Sequence, residues 1–304
     1  MSIITTAQAV PSRLFAIYAS LYDNENGELK DRLKDCSTPP SLSNRGGDED
    51  GDSSTTLFAN TLQEARRLGI VEEVDNKLRL TTDARGGGKK GGESEGPFRA
   101  YLRNTLFDQS RADETQQAGF MFALVWFLSG NPLRPLGFSE APQNALKQDI
   151  GSHASRTELT SLNRYQNFLY WARYLGFATI VGGKDADDVA SRRAIPDPTR
   201  VIEATLSDIF AGDLELPIET FLSRLALIFP VFEKGSVRQE YDGLRLNPLV
   251  DAAHRLSITT SIALQRLEDR QMIALTSVAD APTRVLDFGG REGRISHVSL
   301  RGAT

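Results

Sequence analysis

A ten-residue pattern, N-x-L-x-x-A-R-x-L-G, occurs twice in this chain, more than a hundred residues apart. It covers Asn60 to Gly69 and Asn167 to Gly176, and an apolar residue follows each copy. The leucines and the alanine recur at helical spacing, and glycine accepts the left-handed backbone that ends many helices. We therefore expect two helices with the same ending, each leading directly into a strand.

The first copy belongs to a predicted series of three helices and a hairpin. Helical periodicity covers Ser12 to Asp23, Gly27 to Cys36 and Leu57 to Leu68. Two short apolar-rich runs then flank Asp75-Asn76, a dipeptide suited to a tight hairpin turn. Three helices followed by a hairpin is the order of a winged helix-turn-helix unit.

The same order is predicted twice more. An amphipathic run from Leu159 to Leu175 leads into FATIVGG, and a returning strand is expected near RRAIPD. A further helix is expected from Ser257 to Met272, with Gln271 in place of the glycine, before a hairpin of IALTSV and TRVLDF around Ala279 to Pro282. The repeat predicts tandem winged helices, although a glycine-terminated helix before a strand is also common in unrelated α/β elements.

Helical connectors are predicted between these units. Pro97 to Asp108 and Asp113 to Leu128 have helical patterns, and the second is apolar on most sides, as buried helices are. A third connector, Pro217 to Phe232, begins with proline, which a first helical turn accepts. The predicted fold is mainly α with small β-hairpins (α+β), as tandem winged helix-turn-helix units joined by connectors. The expected division is a first winged unit at 1–82, a linker at 83–96, a connector with the second unit at 97–215, and the third unit at 216–304.

Two segments have the composition of unstructured chain. Residues 38–55 combine prolines, glycines and acidic side chains, and residues 83–96 are rich in glycine, so neither has enough apolar surface to offset the entropy of ordering. GGGKKGG in the second segment lacks the spacing and the final Ser or Thr of a phosphate-binding loop. We expect limited proteolysis to cut these two segments first.

Charge constrains the class of partner. The 35 lysines and arginines against 40 aspartates and glutamates give a net charge of −5, whereas nucleic-acid binders are usually basic. Basic and acidic residues number 12 and 16 in 1–96, 12 and 14 in 97–215, and 11 and 10 in 216–304. We therefore expect the last third to be the most favourable for phosphate contacts.

The likeness to winged helices extends to one family. The chain as a whole is similar to the winged-helix accessory proteins of bacterial phage-defence islands, most closely the DpdG family of 7-deazapurine DNA modification and restriction clusters. The resemblance implies a non-enzymatic component that works beside helicases, nucleases and modification enzymes.

The candidate DNA contacts are the polar and basic side chains expected on the repeated helices and their wings, where base edges and phosphates are contacted. For each arginine, a solvated charge or an ion pair is the alternative. The candidates are Asn60, Gln63, Arg67, Lys77 and Arg79 in the first unit; Asn163, Arg164, Asn167, Arg192 and Arg193 in the second; and Thr259, Thr260, Gln265, Arg266, Arg270, Arg284, Arg291 and Arg294 in the third.

Enzymatic motifs are missing from the sequence. His153, His254 and His297 have no second histidine or cysteine at metal-ligand spacing, and no G-x-S-x-G or H-E-x-x-H is present. Cys36, the single cysteine, cannot form an internal disulfide, which fits a reducing compartment. We expect no catalytic site, cofactor or metal, no membrane segment, and a cytoplasmic location.

Three functions remain open at this point. A DNA-binding or adaptor component would bind double-stranded DNA, with affinity that falls steeply with salt and with loss of Arg266 and Arg270. A protein scaffold would use the winged helices for assembly with a helicase or nuclease, without direct DNA binding. A transcriptional regulator is the third reading.

Overall fold

The structure is a computed structural model that describes residues 2–6, 9–37, 52–86, 95–111, 115–185, 188–247 and 254–301. It mixes helices with small antiparallel sheets, as the predicted α+β class requires. The chain forms two compact units, Met1–Gln117 and Ala118–Thr304. No helix among the described residues is both long and apolar enough to cross a membrane.

The first unit is built around helix α1, whose buried side chains include Leu14, Ile17 and Tyr18. The Tyr18 ring lies 4.7 Å from the ring of Phe98, which joins α1 to a later helix of the unit. The elements are α1 (Pro11–Tyr22), α2 (Lys30–Ser37), α3 (Asp52–Arg67), β1 (Val71–Val74), β2 (Lys77–Leu80), α4 (Thr82–Arg85), α5 (Glu95–Phe107) and a 3₁₀ turn (Gln109–Arg111).

The predicted hairpin is present. Strands β1 and β2 pair antiparallel around Asp75 and Asn76, whose φ angles of 52° and 62° are those of a type I′ turn. Glu28, between α1 and α2, forms an antiparallel bridge with Leu78 of β2. The returning strand β2 therefore lies between β1 and this bridge.

The second unit begins with α6, which is buried on nearly every side, as its sequence predicts. Its elements are α6 (Ala118–Ser129), β3 (Leu136–Gly137), α7 (Gln143–Ile150), a 3₁₀ segment (Gly151–Thr157), α8 (Leu162–Leu175), β4 (Ala178–Val181), β5 (Arg193–Pro196), α9 (Thr199–Glu203), α10 (Leu206–Phe210), β6 (Glu215–Pro217), α11 (Ile218–Ile228), α12 (Ser236–Asp242), α13 (Ile258–Asp269), β7 (Ile273–Thr276), β8 (Arg284–Asp287), β9 (Glu292–Ile295) and β10 (His297–Leu300).

The sheets of this unit share one arrangement. The strand orders are β3–β5–β4 and β6–β10–β7, and every pairing is antiparallel. In each sheet the last strand in the chain lies in the middle, between the strand that precedes the helices and the strand that follows them. β8 and β9 form a separate hairpin inserted between β7 and β10.

The repeated helix endings share one geometry. α3, α8 and α13 all end at a residue with positive φ: Gly69 at 66°, Gly176 at 97° and Gln271 at 59°. Each of these residues donates to the carbonyl three positions earlier, and the next residue donates to the carbonyl five positions earlier, which is the Schellman motif. The bonds are Gly69 to Arg66 and Ile70 to Ala65, Gly176 to Arg173 and Phe177 to Ala172, and Gln271 to Glu268 and Met272 to Leu267.

Some expectations differ from the structure. The predicted IALTSV–TRVLDF hairpin requires β7 to pair with β8. Instead, β7 pairs with β10, which lies farther along the chain, and β8 pairs with β9. The expected unstructured segments are helical at their ends, in residues 52–55, 83–85 and 95–96. Most of the two segments, residues 38–51 and 87–94, lies outside the described residues.

Candidate nucleic-acid interface

The three repeated helices differ in charge. A nucleic acid meets least repulsion at a helix without carboxylates, because its phosphates are negative. α8 has this composition: it carries two arginines and no acidic residue. The charged residues are Asp52, Glu64, Arg66 and Arg67 on α3; Arg164 and Arg173 on α8; and Arg266, Glu268 and Asp269 on α13, so the sums are 0, +2 and −1.

Helix α8 is fixed at both ends and along one side. The Ser161 side chain caps its first turn by accepting a hydrogen bond from the Arg164 amide, at 3.3 Å. Phe168, Leu169 and Leu175 are among the side chains that its inner face buries completely. The helix is therefore held as a rigid element, which a surface that recognises a duplex requires.

The outer side of α8 carries a polar stripe at helical spacing. Asn163, Gln166, Tyr170 and Arg173 follow one another at intervals of three, four and three residues, so they lie on one side of the helix. Asn163 and Arg173 are exposed, Gln166 is half-buried, and Tyr170 is 38% exposed. We name these four residues the α8 face.

The α8 face is continuous with the root of the wing between β4 and β5. Phe138, just after β3, accepts a hydrogen bond on its carbonyl from Gln166 Nε2 (3.4 Å), and its ring lies 5.6 Å from that of Tyr170. On the other side, the Arg192 guanidinium lies 5.9 Å from the Phe138 ring, and the Phe138 amide donates to the Arg192 carbonyl. Helix and wing thus meet on one buried phenylalanine.

The wing itself has mixed charge. Arg193 is exposed and donates to the carbonyls of Ala190 and Arg192, which orders the returning end of the wing. Asp188 accepts hydrogen bonds from the Ser191 hydroxyl and the Lys184 amide, and these bonds lower the pKa of its carboxyl. The wing therefore keeps a negative charge close to its arginines.

Two polar side chains of α8 are buried, and a carboxylate lies beside the helix; both limit the contacts that α8 can make with DNA. Asn167 is buried, so its expected contact with DNA is wrong in this conformation: its side chain lies on the inner face of the helix. Burial, and then the charge of Glu140, raises the pKa of the Tyr165 hydroxyl, so Tyr165 stays neutral. The carboxylate of Glu140 therefore lies near α8, because its charge acts on Tyr165.

In the first unit, the candidate arginines are engaged in ion pairs. Arg67 bonds to Glu64 on the same helix, and Arg79 bonds to Glu72 across the hairpin at 2.8 Å. Arg66 is paired with Glu73. The remaining candidates there are Gln63 and Lys77, which are exposed, and Asn60, which is half-buried.

In the predicted third winged unit, the start of α13, which was expected to contact base edges, is buried. Thr259 donates from its hydroxyl to the carbonyl of Gly130 at 2.9 Å, and Thr260 donates to Glu233 Oε2 at 2.9 Å. The expectation that these threonines face DNA is therefore wrong, because α13 packs this end against α6 and against the buried Glu233. Glu233 keeps its negative charge: its burial disfavours ionisation, but nearby Arg238 and Ser257 outweigh that penalty and lower its pKa.

The arginines of α13 hold the unit together. Arg266 of α13 pairs at 2.7 Å with Asp197, which lies between β5 and α9, and Arg270, directly after α13, pairs at 3.0 Å with Glu203 at the end of α9. Gln265 donates to Glu268 and Asp269. Arg284 is mostly buried and is bonded to Glu219.

The β8–β9 hairpin leaves two candidates exposed. The Arg291 guanidinium lies 4.8 Å from the ring of Phe288, and Arg294 is exposed on β9. Neither forms an ion pair with any residue that the structure describes.

Sequence reasoning placed candidates on α8 but did not include all of its exposed side. Tyr170 was not a candidate, although its spacing from Asn163 and Arg173 places it on the same side of the helix. Phe138 contacts Tyr170 and Gln166 only because of the fold, and the sequence around Phe138 does not predict these contacts. Across the residues described, no group of three or more His, Cys, Asp and Glu side chains is arranged to hold a metal ion.

Comparison with models of known protein families gives a match over most of the chain. A family model described as DpdG-like matches residues 1–281. Neither the curated proteins nor the solved structures contain a match.

Proposed function

Because the chain belongs to the DpdG-like family, which is linked to phage-defence and DNA-modification clusters, we propose that it is a non-enzymatic component that binds double-stranded DNA. Within such a cluster it serves as an adaptor that brings a helicase or a nuclease to the duplex. The acid-free helix α8 and its exposed α8 face carry this proposal.

Topology supports winged-helix units as the architecture. The bridge at Glu28, β2 and β1 have the same order as β3–β5–β4 and as β6–β10–β7. In all three, a short strand, or in the first unit the single bridge at Glu28, precedes a long helix that ends in a Schellman motif, and the returning strand lies between the other two. Three copies of one arrangement are the expected result of duplication of a single winged unit.

The roles of the residues follow from their chemistry. Arg164 and Arg173 supply the positive charge that binds phosphates, which contributes most of the affinity of a duplex-binding protein. Asn163 and Gln166 carry side-chain amides, and an amide can pair with both the N6 and the N7 groups of adenine in the major groove. The Arg164 guanidinium donates only to the Thr160 hydroxyl among the described residues, so it is available to a phosphate.

A salt titration tests the proposal with matched variants. Arg164→Ala with Arg173→Ala removes two positive charges from α8, and Arg266→Ala with Arg270→Ala removes two that are already ion-paired. We expect the α8 pair to reduce the slope of log affinity against log salt by about 1.8, because each phosphate contact contributes about 0.9. The control pair should change that slope much less.

The result has a clear contrary outcome. Equal slopes for the wild type and the α8 pair, beside a reduced slope for the control pair, would move the DNA contact to α13. Absence of duplex binding by the wild type at low salt would contradict the DNA-binding proposal as a whole.

A protein scaffold is the second candidate, and exposed leucines favour it. Leu227 at the end of α11 is 84% exposed, and Leu214 before β6 is 69% exposed. Large apolar side chains of this exposure occur in protein interfaces. If purified protein captures a helicase or nuclease from its own cluster, and Leu227→Asp abolishes the capture while DNA binding is absent, the scaffold is the better description.

A further inference from the structure

We propose that the β8–β9 hairpin, together with the loop before β3, forms a second phosphate-binding site, which contacts the backbone of the same duplex that α8 binds. The inference rests on the proposed function. We name this site the hairpin cluster, and its residues are Arg134, Arg291 and Arg294.

The hairpin is held firmly on the second unit. Val285 of β8 forms a parallel bridge with Arg255, and its amide donates to the carbonyl of His254. The Asp287 amide donates to the hydroxyl of Ser261 in α13 at 2.9 Å. The hairpin therefore presents its side chains from a fixed position, which lowers the entropy lost when they bind.

The two acidic residues of the hairpin are already engaged by one arginine, which offsets one of their two charges. One guanidinium, that of Arg255, bonds to Asp287 Oδ2 at 3.2 Å and to Glu292 Oε1 at 2.6 Å. The Asp287 carboxylate also accepts the amide of Gly289 at 2.8 Å. These bonds leave Arg291 and Arg294 as the hairpin charges without an ion pair among the described residues.

The two arginines have geometry suited to phosphate. The Arg291 guanidinium stands over the Phe288 ring, and a stacked guanidinium keeps its N–H edges available for hydrogen bonds to oxygen anions. Arg294 lies opposite Val285 in the hairpin register and is exposed to solvent. Stacking restricts the Arg291 side chain in advance of binding.

A close contact brings the third arginine to the same place. Gly289, at the hairpin turn, has a φ of 75° and approaches Leu133 so closely that a methyl group there would lie 2.8 Å from Leu133 Cδ1. Arg134 is the next residue and is exposed, with no ion pair to any residue in the described part of the chain. The hairpin turn and the loop that carries Arg134 are therefore adjacent.

The hairpin cluster lies within reach of the duplex at α8. Leu133 and Phe138 are five residues apart, so the chain between them spans at most about 17 Å. Phe138 contacts Tyr170 of the α8 face at 5.6 Å between ring centres. One turn of DNA is about 34 Å long, so a duplex on the α8 face can extend past both sites.

The test is duplex binding by the full chain under increasing salt. Arg291→Ala with Arg294→Ala should lower affinity about tenfold and reduce the salt slope by about 1.8, as expected for two lost phosphate contacts. Arg291→Lys with Arg294→Lys keeps both charges and should retain most of the slope. Far-UV circular dichroism verifies that each variant stays folded.

The outcomes separate this inference from the proposed function. If the hairpin alanine pair binds as the wild type does while the α8 pair is impaired, the hairpin cluster is not a DNA contact and the proposed function stands. If the lysine pair loses as much binding as the alanine pair, loss of charge is not the cause and the phosphate site is contradicted. If the wild type does not bind duplex at low salt, both proposals fail.

Discussion

Gln271 occupies a backbone conformation that glycine adopts at far lower cost. It stands at the left-handed position of the α13 Schellman motif, with φ of 59°, where Gly69 and Gly176 end the other two helices. A side chain in this conformation costs about 1 kcal/mol or more because Cβ crowds the backbone. We expect Gln271→Gly to stabilise the protein by about 1 kcal/mol, measured as a higher melting temperature in calorimetry.

The opposite change at a matched position is the control. At Gly176, φ is 97° and a Cβ would lie 3.2 Å from the Val201 amide nitrogen. Gly176→Ala should therefore lower the melting temperature. A Gln271→Gly variant that melts below the wild type would show that the Gln271 side chain makes a contact worth more than the strain.

Glu219 has a pH dependence that follows from its partners. The hydrogen bond from Arg284, supported by Lys234 at 2.9 Å, lowers the pKa of Glu219 from 4.5 to about 2. A lowered folded-state pKa adds stability above the unfolded-state pKa, and this stability is lost as the pH falls from about 4.5 toward 2. The carboxylate is 38% exposed, so solvent screens part of the effect.

Glu219→Gln should remove this contribution. The variant should melt below the wild type at pH 7, and the difference should shrink as the pH falls below 4.5 and vanish near pH 2. Glu25→Gln, at an exposed carboxylate of the first unit, serves as the control. A difference that stays constant from pH 7 to pH 2 would show that the ionised form of Glu219 is not what stabilises the fold.

At the scale of elements, sequence patterns predicted the helix ends and the turn, which depend on residues that are close together in the chain. The ends of α3, α8 and α13 followed from one sequence pattern, and the β1–β2 turn followed from Asp75-Asn76. The pairing of β7 did not follow, because its partner β10 comes after the inserted β8–β9 hairpin. A polar residue at a helix start predicts exposure, and burial of Thr259 and Thr260 depends on Gly130 and Glu233, which are distant in sequence.

The candidate site also depends partly on local sequence and partly on contacts between distant residues. Charge counted over thirds of the chain favoured the last third, but ion pairs occupy Arg266, Arg270 and Arg284 there. Charge counted over single helices favours α8, which has no acidic residue. The charge of a single helix can be read from the sequence, whereas only the fold shows which arginines are already paired.

The α8 face should separate affinity from base preference. Asn163→Ala removes an exposed amide without changing charge, so we expect the salt slope to remain and discrimination between preferred and other sequences to fall, by about 1–3 kcal/mol for one amide–adenine pair. Arg173→Ala should weaken binding to all sequences and lower the slope by about 0.9. Selection from a random duplex library, repeated with each variant, measures both effects; a change of slope with Asn163→Ala would contradict the assigned roles.

At the scale of the whole molecule, the two compact units differ in what they offer a duplex. The candidate arginines of the first unit are paired with Glu64 and Glu72, and its α3 carries no net charge. The second unit contains α8, the α8 face and the hairpin cluster, all supported by contacts inside that unit. DNA binding should therefore belong to the second unit, and the first unit is left for another role.

Division of the chain between Gln117 and Ala118 tests this assignment. The boundary separates the two compact units, so a fragment of residues 118–304 keeps the core around α6 and the contacts of α13 with α9. We expect this fragment to fold cooperatively and to bind duplex DNA with the salt slope of the full chain, because no phosphate contact is assigned to the first unit. Residues 1–117 should show negligible duplex binding at physiological salt. A folded 118–304 fragment with a markedly smaller slope would mean that the first unit contributes phosphate contacts, with Lys77 at the hairpin turn as the exposed cation to replace next.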